Sequence, residues 1–210
     1  MKVLEERKKG KISPSGKWEK LTTGWVGYIF YGSLGILAAY IFYYGFGIIL
    51  RTEVPFVAVV SGSMDHGVTD DAGLQKWPCQ KERENFVENF DNWWTSCGIF
   101  YASIGISKEE FRSFPFSDGF KKGDLPIVQG SDSYKVGDVI VYTVPGHRAP
   151  IIHRIVKINE DGTFQTKGDH NTGQNPYELS IDKYQIKGKV IFIIPKLGYL
   201  RVFLNELMGI

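Results

Sequence analysis

The sequence has few of the residues that support metal or thiol chemistry, and it has no strong excess of charge. Its 210 residues include two cysteines and four histidines, and the formal net charge is +2 at pH 7. The cysteines, Cys79 and Cys97, have neither the spacing of metal ligands nor that of a redox Cys-x-x-Cys motif. We therefore expect no metal, no cofactor and no nucleic-acid partner. The two cysteines could form a disulfide if their region lies outside the cell.

Charge is absent from one long stretch near the amino terminus. Residues 21–50 contain no charged side chain, whereas residues 1–20 carry a basic excess. A helix of about 20 apolar residues crosses a bilayer, so this run predicts one transmembrane helix. A cleaved secretory signal would have a shorter apolar core. The basic flank predicts that the segment 1–20 is cytoplasmic and that everything after Arg51 lies outside.

Beyond the apolar run, short β-branched and aromatic stretches alternate with turn signals, without an internal repeat. Such stretches predict strands, and their spacing predicts a mainly β domain, either a sandwich or a folded barrel, over 51–64 and 123–196. The predicted strands cover 54–60, 125–129, 138–144, 151–158, 163–167 and 186–194.

Two segments depart from this β pattern. Over 65–122, Phe90, Trp93 and Cys97 recur at helical spacing, which predicts a small, largely helical insertion with an aromatic core. Because both cysteines lie in this insertion, a disulfide there would constrain the unfolded chain by on the order of 3 kcal/mol. Apolar residues at helical spacing over 197–210 predict a short amphipathic helix, which is too short to span a bilayer.

One corner of the predicted β domain carries a serine that could act as a nucleophile. The strand predicted over 54–60 ends in Ser61-Gly62-Ser63-Met64, which would lift the Ser63 hydroxyl to the rim of the sheet. A serine hydroxyl needs a base within hydrogen-bond reach to attack at neutral pH. Without a base, the same residues are a plain turn, because glycine and serine are common in turns.

His153 is the candidate base. His66, His147 and His170 fall in predicted loops or turns, whereas His153 interrupts an apolar strand. Imidazole suits proton transfer near neutral pH, and a rigid strand would hold it in place. A histidine in a strand is also explained as a hydrogen-bonded core residue, so both interpretations stay open at this point.

Five short sequence blocks follow one another along the chain. They are residues 61–64 (SGSM), 135–142 (KVGDVIVY), 152–155 (IHRI), 166–171 (TKGDHN) and 194–199 (IPKLGY). These blocks resemble the successive motifs of the type I signal peptidases, and they occur in that family's order. Bacterial members carry a lysine where this chain has His153, so the sequence is most similar to the archaeal and endoplasmic-reticulum branch. A chain with no larger complex evident fits an archaeon better.

The resemblance implies a signal-peptidase/LexA-like folded β domain behind one transmembrane helix. It implies a serine endopeptidase of the plasma membrane, with its catalytic domain extracytoplasmic, that removes signal peptides from exported preproteins. Cleavage would follow small residues, as in the family. The implied partners are signal peptides and the lipid bilayer, with the protein translocation machinery as a further candidate.

The resemblance also implies roles for individual residues. Ser63 would attack the scissile carbonyl and His153 would carry the proton. The backbone N–H of Ser63 and the hydroxyl of Ser61 would face the oxyanion, as preorganised donors do in acyl transfer. The residues expected to line the substrate are Val59, Val60, Ser61 and Met64.

The residue that orients the imidazole is less clearly marked. Family members of this branch place an aspartate six residues after Asp169, and here that position is Asn175. Asparagine can accept a hydrogen bond but adds no charge. We therefore predict that Asp169 orients His153, with Glu178 or Asp182 from the following loop as alternatives.

Two other functions fit parts of the sequence. A catalytically silent relative could use the insertion 65–122 to bind a partner at the cell surface, which Asn175 and the size of the insertion favour. A LexA-type self-cleaving repressor would need a DNA-binding amino-terminal domain and a lysine base, whereas this chain has a membrane helix and His153.

Overall fold

The structure is a computed structural model that describes residues 22–71, 74–199 and 203. The chain divides into two units, the first ending at Gly45 and the second beginning at Phe46. The basic segment predicted over 1–20 lies outside the described residues. The same holds for most of the amphipathic helix predicted over 197–210.

The first element is a long apolar helix, α1 (Gly24–Leu50). Among the described residues it is the one helix that is long and apolar enough to cross a membrane. Its large side chains are mostly exposed, for example Trp25, Tyr28 and Ile48. A core helix of a water-soluble protein would bury such side chains, so the exposure favours an anchor.

An extended segment leads from α1 to the turn at Ser61–Met64, but it is not the regular strand predicted over 54–60. In the described chain its single β-bridge joins Phe56 to Ile127. Pro55 and Pro126 have no N–H to donate, so a continuous ladder cannot form between the two segments. The segment therefore runs along the sheet edge with irregular pairing.

The segment 65–122 follows, with a hairpin and two helices. Asn89 caps the longer helix by accepting a hydrogen bond from the backbone N–H of Asn92 at 2.8 Å. The aromatic spacing seen in the sequence builds a buried cluster here that includes Phe90, Trp93 and Tyr101. The elements are β1 (Thr69–Asp71), β2 (Leu74–Lys76), α2 (Phe90–Ser103) and α3 (Lys108–Arg112).

The remaining strands form one antiparallel sheet of five strands. They are β3 (Leu125–Gln129), β4 (Val139–Tyr142), β5 (Ile151–Ile158), β6 (Phe164–Lys167) and β7 (Ile186–Ile194). Their order across the sheet is β3, β7, β4, β5, β6. This sheet, the apolar helix before it and the small helical parts confirm the predicted fold class.

The central strand β4 is buried on both faces. Val139 and Val141 pack into the cluster that includes Met64. Ile140 and Tyr142 pack into a second cluster on the other face. Successive side chains of a strand point to opposite faces, so β4 contributes side chains to both cores. It also pairs with β5 along its whole length.

Candidate active site

Ser63 and His153 line one cavity of about 340 Å³. Ser63 lies in the turn after the extended segment, and His153 lies on β5 opposite Ile140 of the central strand. The imidazole is buried, with 4% of the residue exposed. A cavity of this volume falls within the range of ligand sites, so it can receive side chains of a bound peptide.

A glycine lies between the serine and the histidine. A Cβ atom on Gly168 would be 2.7 Å from His153 Nε2 and 2.8 Å from the carbonyl oxygen of Ser63. Both groups therefore border the same small space. No hydrogen bond joins the Ser63 hydroxyl to the imidazole within the described chain, and Ser61 Oγ donates to Ser63 Oγ at 3.4 Å. Hydrogen bonds of a catalytic pair often tighten only when substrate binds.

Glu178 is the carboxylate that contacts His153. The imidazole Nδ1–H donates to Glu178 Oε1 at 2.5 Å, and both side chains are buried. Glu178 ends the 3-10 turn Pro176–Glu178, and its Oε2 accepts hydrogen bonds from Asn175. A partner on Nδ1 fixes the tautomer, so Nε2 is left as the proton acceptor.

Asp169, which the sequence favours as the orienting residue, makes no hydrogen bond to His153 in the described chain. It accepts hydrogen bonds from Arg154 at 2.7 Å and from the Tyr101 hydroxyl at 2.8 Å, and it pairs with His66. His153 and Arg154 are successive residues of β5, so their side chains leave the strand on opposite faces. Asp169 lies on the face of Arg154, and its carboxylate is occupied there.

The contact with Arg154 also determines the ionisation state of Asp169. Burial by itself would raise the pKa of Asp169. The Arg154 charge and the hydrogen bonds from His66 and Arg154 outweigh it and hold the pKa of Asp169 well below its usual range. Asp169 therefore stays ionised and braces the fold. The other alternative, Asp182, begins the 3-10 turn Lys183–Gln185 and makes no described contact with the imidazole.

The charged residues around Asp169 form a buried network that sequence reasoning did not identify. Lys167 Nζ donates to the Gly168 carbonyl at 3.1 Å and lies 4.9 Å from the centre of the Tyr101 ring. Burial, partly offset by Asp169 and Glu178, lowers the pKa of Lys167 to about 8. In the sequence Lys167 is the last residue of the strand predicted over 163–167, where a charged side chain is ordinary, so nothing in the sequence indicates that it is buried.

His66, which the sequence placed in a loop or turn, has a packing role in the structure. Its ring stacks on Trp93 with the centroids 3.7 Å apart, and its Nε2 lies 3.2 Å from Asp169 Oδ2. An imidazole N–H therefore donates to the carboxylate while the ring covers an aromatic face. No group of three or more His, Cys, Asp or Glu side chains suited to a metal occurs in residues 22–71, 74–199 and 203.

A disulfide joins Cys79 to Cys97 within the segment 65–122, and the turn that holds Cys79 contacts the loop after β6. The backbone N–H of Cys79 donates to the His170 carbonyl at 2.9 Å. The backbone N–H of His170 in turn donates to the Ser63 carbonyl at 2.9 Å. The disulfide turn of the insertion is thus connected to the serine through two consecutive backbone hydrogen bonds.

The residues expected to line the substrate border the cavity of Ser63. Met64 is buried, and its Sδ lies 3.5 Å from the backbone nitrogen of Asp169, so it packs beneath the serine turn. The opposite wall comes from residues 147–152, a turn and the start of β5 that the sequence did not mark as part of the site. The expected lining residues are Val59, Val60, Ser61 and Met64.

An apolar amino-terminal helix, an antiparallel β domain and a serine and histidine in one cavity are together typical of the type I signal peptidases. No family model matches the chain. The curated relatives include the "Signal peptidase complex catalytic subunit SEC11" of Scheffersomyces stipitis, 28% identical over 128 residues. That match covers 53% of this chain and 77% of the relative.

Proteins of the same name from Eremothecium gossypii and Saccharomyces cerevisiae are 36% and 32% identical over 99 residues. These matches cover 41% of this chain and 59% of each relative, so the chain spans about three fifths of their length. The chain is therefore related to signal peptidase catalytic subunits, which confirms the resemblance of its motif blocks. The relatives named here are eukaryotic, so the archaeal origin stays a prediction.

Proposed function

We propose that this chain is a membrane-anchored serine endopeptidase that removes signal peptides from exported preproteins. One observation carries the proposal: His153 borders the cavity of Ser63 while Glu178 holds its far nitrogen at 2.5 Å. A solvent-exposed serine turn alone would have no base to activate it. The names of the SEC11 relatives support signal peptides as the substrate.

In this mechanism Ser63 Oγ attacks the scissile carbonyl, and His153 Nε2 takes the hydroxyl proton. The tetrahedral intermediate collapses when the imidazolium gives that proton to the leaving amine. Water, deprotonated by the same nitrogen, then hydrolyses the acyl-enzyme. Glu178 acts as a positioning residue, because it contacts His153 and Asn175 rather than the substrate, and its charge stabilises the protonated imidazole.

The oxyanion needs donors that are already in place. The backbone N–H of Ser63 and the hydroxyl of Ser61 are the groups we assign to it. Ser61 Oγ already lies 3.4 Å from Ser63 Oγ, so a small rotation would turn it to the bound carbonyl. One such donor is typically worth ~3 kcal/mol of barrier. The substrate would lie as an extended strand along Val59 and Val60.

We further propose that α1 is a single-pass anchor, with the segment 1–20 in the cytoplasm and the β domain outside, at the plasma membrane. The disulfide between Cys79 and Cys97 supports this orientation, because disulfides persist in oxidising compartments. The working boundaries are the insertion over 65–122 within a catalytic domain of 51–64 and 123–196.

The decisive experiment is cleavage of a preprotein by the detergent-solubilised chain. Ser63→Ala and His153→Ala should each abolish cleavage after a small residue while the thermal transition stays near that of the parent. A serine-reactive phosphonate should label the parent at Ser63 and not the Ser63→Ala variant. A folded parent that neither cuts nor labels would favour the alternative, a catalytically silent relative of the signal peptidases. Cleavage by the Ser63→Ala variant would show that Ser63 is not the nucleophile.

A further inference from the structure

A second cavity of about 460 Å³ continues from the first on the other side of the serine. The two cavities share Val60, Ser61, Ser63 and Asn171 as lining residues. Ser63 therefore stands where two compartments meet, rather than at the end of a closed pocket. A peptide drawn through the site would have chain in both compartments, with the scissile bond at their junction.

The segment 65–122 supplies most of the second compartment. Its strand β1 packs directly on the nucleophile turn, since a Cβ atom on Gly62 would lie 2.5 Å from Thr69 Cγ2. Glu88 and Lys121, from the same segment, also line the cavity. Their side chains form an ion pair of 2.5 Å and are about half exposed, at 50% and 57%.

The two compartments differ in chemistry. The first is walled mainly by small and apolar residues on both sides, including Ala58, Val60, Ala149 and Ile152. The second has charged residues of both signs around it. They are Asp65, Asp70, Glu88, Lys76, Lys121 and Lys122. An apolar segment would lose little by entering the first compartment, whereas the second suits polar chain.

A signal peptide has its apolar core and small residues before the cut, so this side of the bond belongs in the apolar compartment. The chain that follows the cut must then lie in the charged compartment. We propose that the insertion builds the binding site for the first residues of the mature protein, and that this site selects among polar and charged side chains there. This inference rests on the proposed function.

The assignment explains why a segment of this size is inserted directly after Met64. Chain bound beyond the cut holds the leaving amine near His153 and adds binding energy that can be used in the transition state. Because Thr69 of β1 packs directly on Gly62 of the serine turn, chain bound against β1 would be held next to the nucleophile.

The test uses the full chain in detergent and a set of preproteins that differ only in the first two residues after the cut. These residues are made lysine, glutamate or serine. Lys121→Glu should lower kcat/KM for the glutamate substrate and raise it for the lysine substrate, by about two- to fivefold each. Glu88→Lys should shift the preference in the opposite direction.

A matched control is the ion pair between Lys108 and Asp91 (2.9 Å), which lies in the same segment but does not line this cavity. Lys108→Glu and Asp91→Lys should leave the substrate preference unchanged. The double exchange Lys121→Glu with Glu88→Lys restores a pair of reversed polarity and should return the thermal transition if either single variant lowers it.

The outcomes distinguish a failure of the proposed binding site from a failure of the proposed peptidase activity. Normal cleavage with no change of preference in Lys121→Glu and Glu88→Lys, or an equal change for all three substrates, would overturn the inference alone. Failure of the parent chain to cut any of the three would overturn the proposed function, and the inference with it.

Discussion

The side-chain amide of Asn175 donates a hydrogen bond to Glu178 Oε2 at 2.8 Å, and the backbone N–H of Asn175 donates to the same oxygen at 2.6 Å. The other oxygen of Glu178 accepts from His153. Asn175 is therefore a donor to a carboxylate, at the position where the resemblance to the signal peptidases implies an acid. The carboxylate that contacts the imidazole lies three residues further along the chain.

This arrangement predicts that restoring the acid at 175 is harmful. Asn175→Asp would remove a donor and place a second carboxylate against Glu178, so kcat should fall by about tenfold or more. Glu178→Gln should cost more, on the order of 10³-fold, because a neutral amide can hold the wrong tautomer. Steady-state kinetics on one preprotein measures both. Asp182→Asn serves as the control, and a faster Asn175→Asp enzyme would contradict the assignment of Glu178.

Gly168 has no room for a side chain. A Cβ there would lie within 2.8 Å of both His153 Nε2 and the Ser63 carbonyl, so one of them must move. A displacement near 1 Å can cost on the order of 100-fold in rate, and we expect such a loss of kcat in Gly168→Ala. Gly173→Ala is the matched control, because a Cβ at Gly173 has nothing within 4 Å. Equal activity of the two variants would argue against the shared space.

The Tyr101 hydroxyl ties the insertion to the β domain by donating to Asp169 Oδ1 at 2.8 Å. Burial, the nearby Asp169 charge and their hydrogen bond raise the pKa of Tyr101, so the phenol keeps its proton as a donor. Tyr101→Phe should lower the free energy of unfolding by about 1–3 kcal/mol, since a buried charged acceptor loses a partner. Denaturant titration measures this. Tyr184→Phe, at a residue 81% exposed, should have no effect.

Lys167 makes the free energy of unfolding depend on pH in the alkaline range. Burial lowers the pKa of Lys167 to about 8 from its ordinary value of 10.5. Between these values the unfolded chain binds more protons at this residue than the folded one does, so stability rises with pH there. The unfolding free energy of the parent minus that of Lys167→Met should therefore increase from about pH 8 to about pH 10.5.

The same measurement on the exposed Lys157→Met variant is the reference for this titration, because it removes a lysine without touching the buried network. A difference between parent and Lys167→Met that stays flat across the range would show that Lys167 titrates normally in the folded chain.

Much of the fold follows from local signals in the sequence. The strands β5 and β7 have the predicted bounds, because each is a run of β-branched residues with few competing helix formers. The segment before Ser63 was predicted less well. Its apolar pattern is that of a strand, but Pro55 and Pro126 remove the donors that a ladder requires, and this shows only when the two segments are seen side by side.

The sequence by itself determined the anchor, the β class and the two side chains of the proposed chemistry. Hydropathy and periodicity are local properties, and a lone histidine in an apolar strand is visible without coordinates. Only the tertiary structure decided which carboxylate contacts His153, since the sequence favours Asp169 and leaves Glu178 as an alternative. The alternation of β5 turns Arg154 toward Asp169 and His153 toward Glu178, and side-chain direction of this kind depends on the paired strands.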